Sequence, residues 1–291
     1  MRTALPLPFS VPAHPAPPAN DAYGEVMVGG LKIARLSRDQ LAAQMLHDCL
    51  AARETGAPPR LVFAANGHSV ALTGSDPHFA ALFDEADLVH ADGQAIVFAS
   101  KFTAAPIPER SATTDFIHDA AKMAAGQGLR FFLLGATEEA NKAAAEKLVG
   151  LYPGLQIVGR RHGYFSIDEE EEICDEINLC TPDVIWVGMG VPREYDFAVR
   201  NRPFLTAGWL VTCGGGFNFV TGAYRRAPDW MQKSGLEWAF RLWREPKRLF
   251  WRYLTTNPLA IFLLLTRTNS RIAGQAAPPA PQRQEQVRLA S

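Results

Sequence analysis

The feature that most limits the fold of this 291-residue chain is a series of short apolar runs, each closed by a small-residue turn. Leu61–Ala65 ends in Asn66-Gly67, and Ala86–Ala91 ends in Asp92-Gly93. Arg130–Leu134 ends in Gly135-Ala136-Thr137, Val184–Val187 in Gly188-Met189-Gly190, and Leu210–Thr212 in Cys213 followed by Gly214-Gly215-Gly216. Runs this short and this apolar suit strands buried on both faces. The stretches between them carry apolar residues at helical spacing, as in Arg38–Arg53 with Leu41, Met45, Leu46 and Cys49, and in the Ala-rich Glu138–Leu151. Strands alternating with helices predict an α/β fold, a Rossmann-like, largely parallel sheet flanked by helices.

The remaining elements follow the same logic. Val26–Ile33 reads as a first strand or as a hairpin turning at Gly29-Gly30. His68–Phe83 is helical with a break from Gly74 to Pro77, residues 106–115 form a loop, and Phe116–Ala125 is a helix. Gln156–Gly159 is a strand followed by a loop to Tyr164, and Ser166 with Glu169 fits a capping box before an acidic helix. Tyr195–Asn201 is a helix. Past Gly222 tryptophans interleave with Arg and Lys, which predicts a basic amphipathic helical appendage over residues 222–268 on an α/β core over 25–221. There Arg241, Arg244, Lys247, Arg248 and Arg252 are expected to meet anionic lipid. The Pro/Ala-rich arm 1–24 and the Pro/Gln-rich tail 269–291 are expected to be disordered.

Composition excludes several classes. A net charge of −1 argues against nucleic acid as a partner. Cys49, Cys174, Cys180 and Cys213 show no CxxC spacing and read as buried thiols in a reducing compartment. The longest apolar run, Leu259–Leu265, is too short to span a bilayer, so a cytoplasmic protein with at most peripheral membrane contact is expected. His68, His90 and His162 lack metal-ligand spacing and no Asp-x-Asp pair is present, so neither metal nor cofactor is expected. No glycine turn completes G-x-G-x-x-G or a Walker A, which argues against an NAD-dependent oxidoreductase and a P-loop NTPase.

Asp92 is the most suggestive residue. It stands at the carboxyl end of a strand, where open α/β sheets bind ligands. Taken alone it is more readily a helix N-cap, by roughly two to one. Asn66 is either a left-handed turn residue or a second ligand contact at the neighbouring strand end. Arg110 and Asp115 read either as ligand contacts or as a surface ion pair.

Together the motifs resemble the WecG/TagA/CpsF glycosyltransferase family across Gly29 to Pro258. The segments, in order, are Asn66; Ala86-Asp-Leu-Val-His-Ala-Asp92-Gly93; Glu109-Arg110 with Thr114-Asp115; Phe131–Gly135; and Gly188-Met-Gly190-Val-Pro192-Arg193. They continue with Gly214–Phe219, Arg226-Ala-Pro228 and Trp230, Gly235–Trp238 and Glu245–Arg248. Four positions differ from the family pattern: Glu194 stands for Gln, Tyr195 for Glu, Asn218 for Asp and Ala64 for Thr.

The resemblance implies metal-independent, inverting transfer of a hexose-type sugar from a UDP-sugar to a polyprenyl-diphosphate-linked sugar. The setting it implies is cell-surface polysaccharide synthesis at the inner face of the membrane. Asp92 would be the catalytic base, and Arg110 with the arginines of the C-terminal segment would stabilise the departing diphosphate. Substrate contacts would come from Asn66, Gly93, Asp115, Gly135, Gly188, Gly190, Glu194, Gly215, Asn218, Arg226, Arg244 and Arg248. An anionic membrane surface is the implied macromolecular partner, and a homo-oligomer stays open. The competing reading is a non-catalytic nucleotide-sugar-binding or membrane-docked scaffold on the same fold, to which Glu194 and Asn218 lend weight.

Overall fold

The structure is a computed structural model that describes residues 24–269. The expected disordered arm and tail lie outside these residues, apart from Gly24 and Asn269. A hairpin of β1 (Glu25–Val28) and β2 (Leu31–Ala34) comes first, turning through Gly29 and Gly30 at φ 63° and 89°. Helix α1 (Arg38–Thr55) starts at a Ser37–Gln40 capping box and stops at left-handed Gly56.

There follow β3 (Arg60–Ala65), α2 (Gly67–Ser75), α3 (Pro77–Asp84), β4 (Leu88–Ala91), α4 (Gln94–Ser100) and α5 (Thr113–Gln127). Next are β5 (Arg130–Gly135), α6 (Glu138–Leu151), β6 (Gln156–Arg161), α7 (Glu170–Leu179), β7 (Val184–Gly188), α8 (Arg193–Asn201), β8 (Trp209–Thr212) and α9 (Gly216–Thr221). The chain ends in α10 (Asp229–Lys233), α11 (Glu237–Arg244) and α12 (Pro246–Thr266).

Six strands form one parallel sheet in the order β4-β3-β8-β7-β5-β6. Alternate residues point to opposite faces. Phe63, Phe132, Ile185 and Leu210 pack with Val70, Phe79, Ile96, Ile173 and Phe197 on one side, where the hairpin adds Val26, Val28 and Ile33. Val62, Phe131, Leu133, Trp186, Trp209 and Val211 pack with Met45, Phe116, Ala144 and Phe217 on the other. The result is the three-layer arrangement expected of strands buried on both faces.

The C-terminal segment is fastened to this core. Helix α12 buries Leu249, Tyr253, Ala260, Leu263 and Leu264. Leu263 crosses α2 at Gly74, where a Cβ would come within 2.3 Å of Leu263 Cδ1. The hairpin clasps the end of α12: the Gly30 amide donates to the Arg267 carbonyl at 2.9 Å, and the Gly29 amide to Thr268 Oγ1 at 3.0 Å. The Asn269 amide donates to the Met27 carbonyl at 3.1 Å. By contrast α10 and α11 bury no residue fully. Among the described residues no helix is long and apolar enough to cross a membrane.

Most boundaries shift by a residue or two from the sequence reading, three of them with a plain structural cause or effect. Helix α5 begins at Thr113, because the Ala112 carbonyl accepts the amides of Asp115 and Phe116 at 2.8 Å, so Asp115 is helical rather than in the loop. Strand β6 runs on to Arg161, which pairs with Leu134 of β5 beyond a bulge at Phe131–Phe132. Helix α8 starts at Arg193, which places Glu194 in its first turn.

Candidate active site

A cavity of about 850 Å³ opens along the carboxyl ends of β3, β4, β7 and β8 and is roofed by residues of α11 and α12. From β3 the chain steps outward to β4, then crosses to β5 on the far side of the sheet. The cavity therefore lies at the switch point where open α/β sheets bind ligands.

Asp92 follows β4 on the cavity floor. It does not cap its own helix: Gly93 is the N-cap residue of α4, with no side-chain cap bond. Instead Asp92 Oδ1 accepts the Thr113 amide at 2.8 Å, and Oδ2 accepts the Asn66 side-chain amide at 3.1 Å. Burial pushes the Asp92 carboxyl pKa up, but the Arg110 guanidinium and the hydrogen bonds from Thr113 and Asn66 outweigh it and hold it below the ordinary range. Asp92 is therefore ionised at neutral pH.

Asn66 is extended, with φ −142°, rather than left-handed. Its Oδ1 accepts the His68 and Ser69 amides at 3.0 and 3.2 Å, which caps α2 and fixes its Nδ2 toward Asp92. Gly93 makes the pairing of the two turns sterically allowed, since a Cβ there would meet Asn66 Cα at 2.9 Å.

Arg110 reaches the same floor from the loop after α4. Its Nε donates to the Asp92 carbonyl at 2.5 Å, and its Nη1 lies 2.7 Å from Glu237 Oε2 on α11.

The glycine turns stack edge to edge. Gly135, at φ 136°, faces Gly188, where a Cβ would stand 2.3 Å from the Gly188 carbonyl oxygen. A Cβ on Gly188 would stand 3.0 Å from the Gly214 carbonyl oxygen. Glu194 ties two of these turns together. It is 2% exposed, and its Oε2 accepts the amides of Gly190 and Gly214 at 2.9 Å each. Burial drives its pKa up to about 7 in spite of these bonds.

The cavity wall is basic. Arg110, Arg193, Arg241, Arg248 and Arg252 line it against Asp92, Glu194 and Glu237. Arg241 lies over the Phe219 ring, 5.5 Å from its centroid, and Arg252 over the Tyr253 ring at 5.0 Å. Burial, with the Arg252 charge beside it, lowers His68 to about 4, so His68 is neutral. Asp92 and the carboxylates of Glu194 and Glu237 are each engaged by amides or guanidinium groups.

Of the residues expected from sequence, Asn66, Asp92, Gly93, Arg110, Gly188, Gly190, Glu194, Gly215, Asn218 and Arg248 line the cavity. Asp115, Gly135, Arg226 and Arg244 are outside its wall. Arg226 Nη1 is drawn to Asp115 Oδ1 at 2.7 Å and its Nε to Glu237 Oε1 at 3.2 Å, so the Asp115–Arg226 pair braces the segment from behind. Gly135 is covered by Gly188, and Arg244 is exposed. Arg110 and Asp115 do not pair with each other as a surface ion pair would; each holds a partner from the C-terminal segment.

Sequence reasoning missed Arg193, Tyr253 and Asn257 as wall residues; it gave Arg241 and Arg252 to lipid as well as, among the arginines of the C-terminal segment, to the departing diphosphate, and both line the cavity. A signal was present in α12: Arg248 and Arg252, and again Tyr253 and Asn257, are spaced to share helix faces.

Comparison with known proteins agrees with this geometry. The model of the glycosyl transferase WecG/TagA/CpsF family matches residues 26–273. The chain is 29% identical over 190 residues to the N-acetylglucosaminyldiphosphoundecaprenol N-acetyl-beta-D-mannosaminyltransferase of Bacillus spizizenii, covering 65% of this chain and 72% of that one. It is likewise 29% identical over 188 residues to the enzyme of the same name from Staphylococcus aureus strain MRSA252, covering 65% and 73%.

Proposed function

This chain belongs to the WecG/TagA/CpsF glycosyltransferase family, and we propose that it transfers a hexose-type sugar, with inversion, from a UDP-sugar to a polyprenyl-diphosphate-linked sugar. The observation that carries this reading is the ionised Asp92 carboxylate on the floor of a cavity whose other walls hold five arginines. The names of the relatives point to N-acetylmannosamine as the first donor sugar to test, and to N-acetylglucosaminyl-diphospho-undecaprenol as the acceptor.

In the proposed step an acceptor hydroxyl attacks the anomeric carbon. A new C–O bond forms there as the bond to the donor phosphate breaks, and UDP leaves with the electron pair. The hydroxyl proton passes to Asp92, whose carboxylate is already deprotonated and aimed by Asn66 and the Thr113 amide. Attack opposite the leaving group inverts the anomeric centre, as in inverting glycosidases where a carboxylate activates the incoming oxygen. An α-linked donor then gives the β-linked product that the names of the relatives state.

Negative charge grows on the departing diphosphate. Arg110, Arg193, Arg241, Arg248 and Arg252 are the groups present to meet it, which makes a metal-independent mechanism chemically sufficient. Glu194 acts as a brace for the Gly188–Gly190 and Gly214–Gly216 turns that the donor would touch, rather than as a free ligand group.

The acceptor's lipid must stay in the bilayer while its sugar reaches Asp92. The exposed Trp230, Trp243 and Trp251 of the C-terminal segment, with Arg244 and Lys247, suit contact with an anionic membrane at its inner face. The test is UDP release and product formation by the full chain with a panel of UDP-sugars and a synthetic lipid-diphosphate N-acetylglucosamine. No transfer with any donor in the panel would overturn the reading.

A further inference from the structure

Two aromatic side chains on the α/β core have no part in the cavity or the hydrophobic core. Phe98 stands in the last turns of α4, and Phe102 in the turn that follows its C-cap Lys101. Phe102 is 88% exposed and Phe98 37%. Lys101 stands beside them, with its ammonium 5.4 Å from the centroid of the Phe98 ring. A single exposed phenylalanine is ordinary. These two, however, continue a larger surface.

The Phe98 ring lies against the backbone of the α10–α11 turn. A Cβ on Gly235, at φ 76°, would sit 3.3 Å from Phe98 Cε2. On that turn Trp230 is 64% exposed and Leu236 39%, and Lys233 is exposed between them. Asp229 is the one acid in residues 229–236. The next acid, Glu237, is turned inward onto Arg110 and Arg226. An apolar patch dotted with ammonium groups therefore spans two parts of the chain that are far apart in sequence.

We propose that Phe98, Lys101 and Phe102 dock on an anionic lipid bilayer together with the α10–α11 turn, so that the core itself, and not only the C-terminal segment, touches the membrane. This inference rests on the proposed lipid-linked acceptor. The mixture of aromatic rings and lysines suits the headgroup layer of an anionic bilayer. It suits a second copy of the chain poorly, because a self-complementary interface would bury Lys101 and Lys233 on both sides with Asp229 as the one acid of residues 229–236 to pair them. The placement also has a use. Residues 98–102 lie between Asp92 and Arg110 in the chain, so lipid contact there sets the cavity floor at a fixed height above the bilayer.

The experiment is co-sedimentation of the full chain with vesicles of phosphatidylglycerol and phosphatidylethanolamine, beside vesicles of phosphatidylcholine alone. Phe102→Ser, Lys101→Glu and the double variant Trp243→Ser/Trp251→Ser are compared, with thermal melts and UDP release to a water-soluble acceptor as controls. Phe102→Ser and Lys101→Glu are each expected to weaken binding to the anionic vesicles about fivefold or more, while melting temperature and soluble-acceptor activity hold. Unchanged binding in both, with binding lost in the double tryptophan variant, overturns the inference and leaves the membrane reading standing. A dimer in sedimentation velocity that Phe102→Ser dissolves assigns the patch to a second copy and also overturns it. If the wild-type chain binds no vesicle, the inference and the membrane part of the proposed function fall together, while soluble-acceptor transfer still tests the chemistry.

Discussion

Arg110 and Glu237 join the core to the roof of the cavity: Nη1 lies 2.7 Å from Oε2, with the two side chains only 18% and 14% exposed. Because Glu237 also holds Arg226 Nε at 3.2 Å, one carboxylate positions two guanidinium groups. Glu237→Gln keeps the shape and removes the charge. It is expected to lower stability by about 1–3 kcal/mol, the scale for weakening a half-buried charged contact. Turnover with lipid-linked acceptor should fall about tenfold, since Arg110 loses the partner that fixes its reach. Denaturant melts and steady-state kinetics check both, and two unchanged readings would remove Glu237 from any positioning role.

Asp92→Asn tests the base. Turnover should drop at least about a hundredfold while UDP binding holds, the usual scale for losing a general base. The variant also sets one amide donor against another. Asn66 cannot flip to accept, because its Oδ1 already takes the His68 and Ser69 amides. A stability loss on the order of 1 kcal/mol is therefore expected as well. A near-wild-type rate would reduce Asp92 to a structural acceptor for Thr113.

Glu194 makes stability depend on pH in a predictable direction. Its folded pKa, about 7, is above the ordinary carboxyl value of 4.5. Between those two values the folded protein holds a proton that the unfolded chain has released. Stability from this group is thus highest below about pH 4.5, falls as pH rises toward 7, and is flat beyond. The span corresponds to a loss on the order of 3 kcal/mol. Glu194→Gln should flatten that slope, as read by unfolding midpoints across the range. A slope that survives the substitution belongs to another group.

Leu263→Ala tests how firmly the C-terminal helix is seated. Leu263 is 2% exposed and fits over Gly74 of α2. Truncating it should cost about 2–5 kcal/mol, as for other buried leucines. Limited proteolysis should then cut first within the C-terminal segment, and an unchanged cleavage pattern would mean that α12 is held elsewhere.

Activity is expected to survive EDTA within about twofold, because the cavity carboxylates are engaged by amides and guanidinium groups, whereas a hard divalent cation needs free oxygens. Loss on chelation with rescue by Mg²⁺ or Mn²⁺ would show that one of them changes partner.

The parallel sheet was readable because each buried strand is a short apolar run with a turn behind it. Leu61–Ala65 and Val184–Val187 carry that pattern with no competing helical period, and Glu138–Leu151 as a helix matches residue for residue. Asp92 was readable as important but not as oriented. Its amide donor comes from Thr113 at the start of α5, beyond α4 and a loop, and no local spacing announces a bond between those two residues. The same limit applied to the arginines. Sequence marks the C-terminal segment as basic and aromatic, but which guanidinium groups turn inward depends on how α11 and α12 cross the core. Arg241 and Arg252 face the cavity, while Arg244 faces out. The pairing of Asp115 with Arg226 was not readable, because it spans more than a hundred residues and leaves no local mark.

The clasp between the hairpin and the end of α12 has a consequence for how the protein is made. Gly29 leaves the ribosome 239 residues before its hydrogen-bond partner Thr268, and Met27 and Gly30 are separated from Asn269 and Arg267 in the same way. The hairpin must wait without these partners until residues 267–269 have been made. Closure of this seam thus reports that the whole span between the two ends has been translated and folded. It also brings Met27 and Asn269 side by side, so fluorophores placed next to them would signal that closure directly, as a donor–acceptor pair that comes into range when the seam forms.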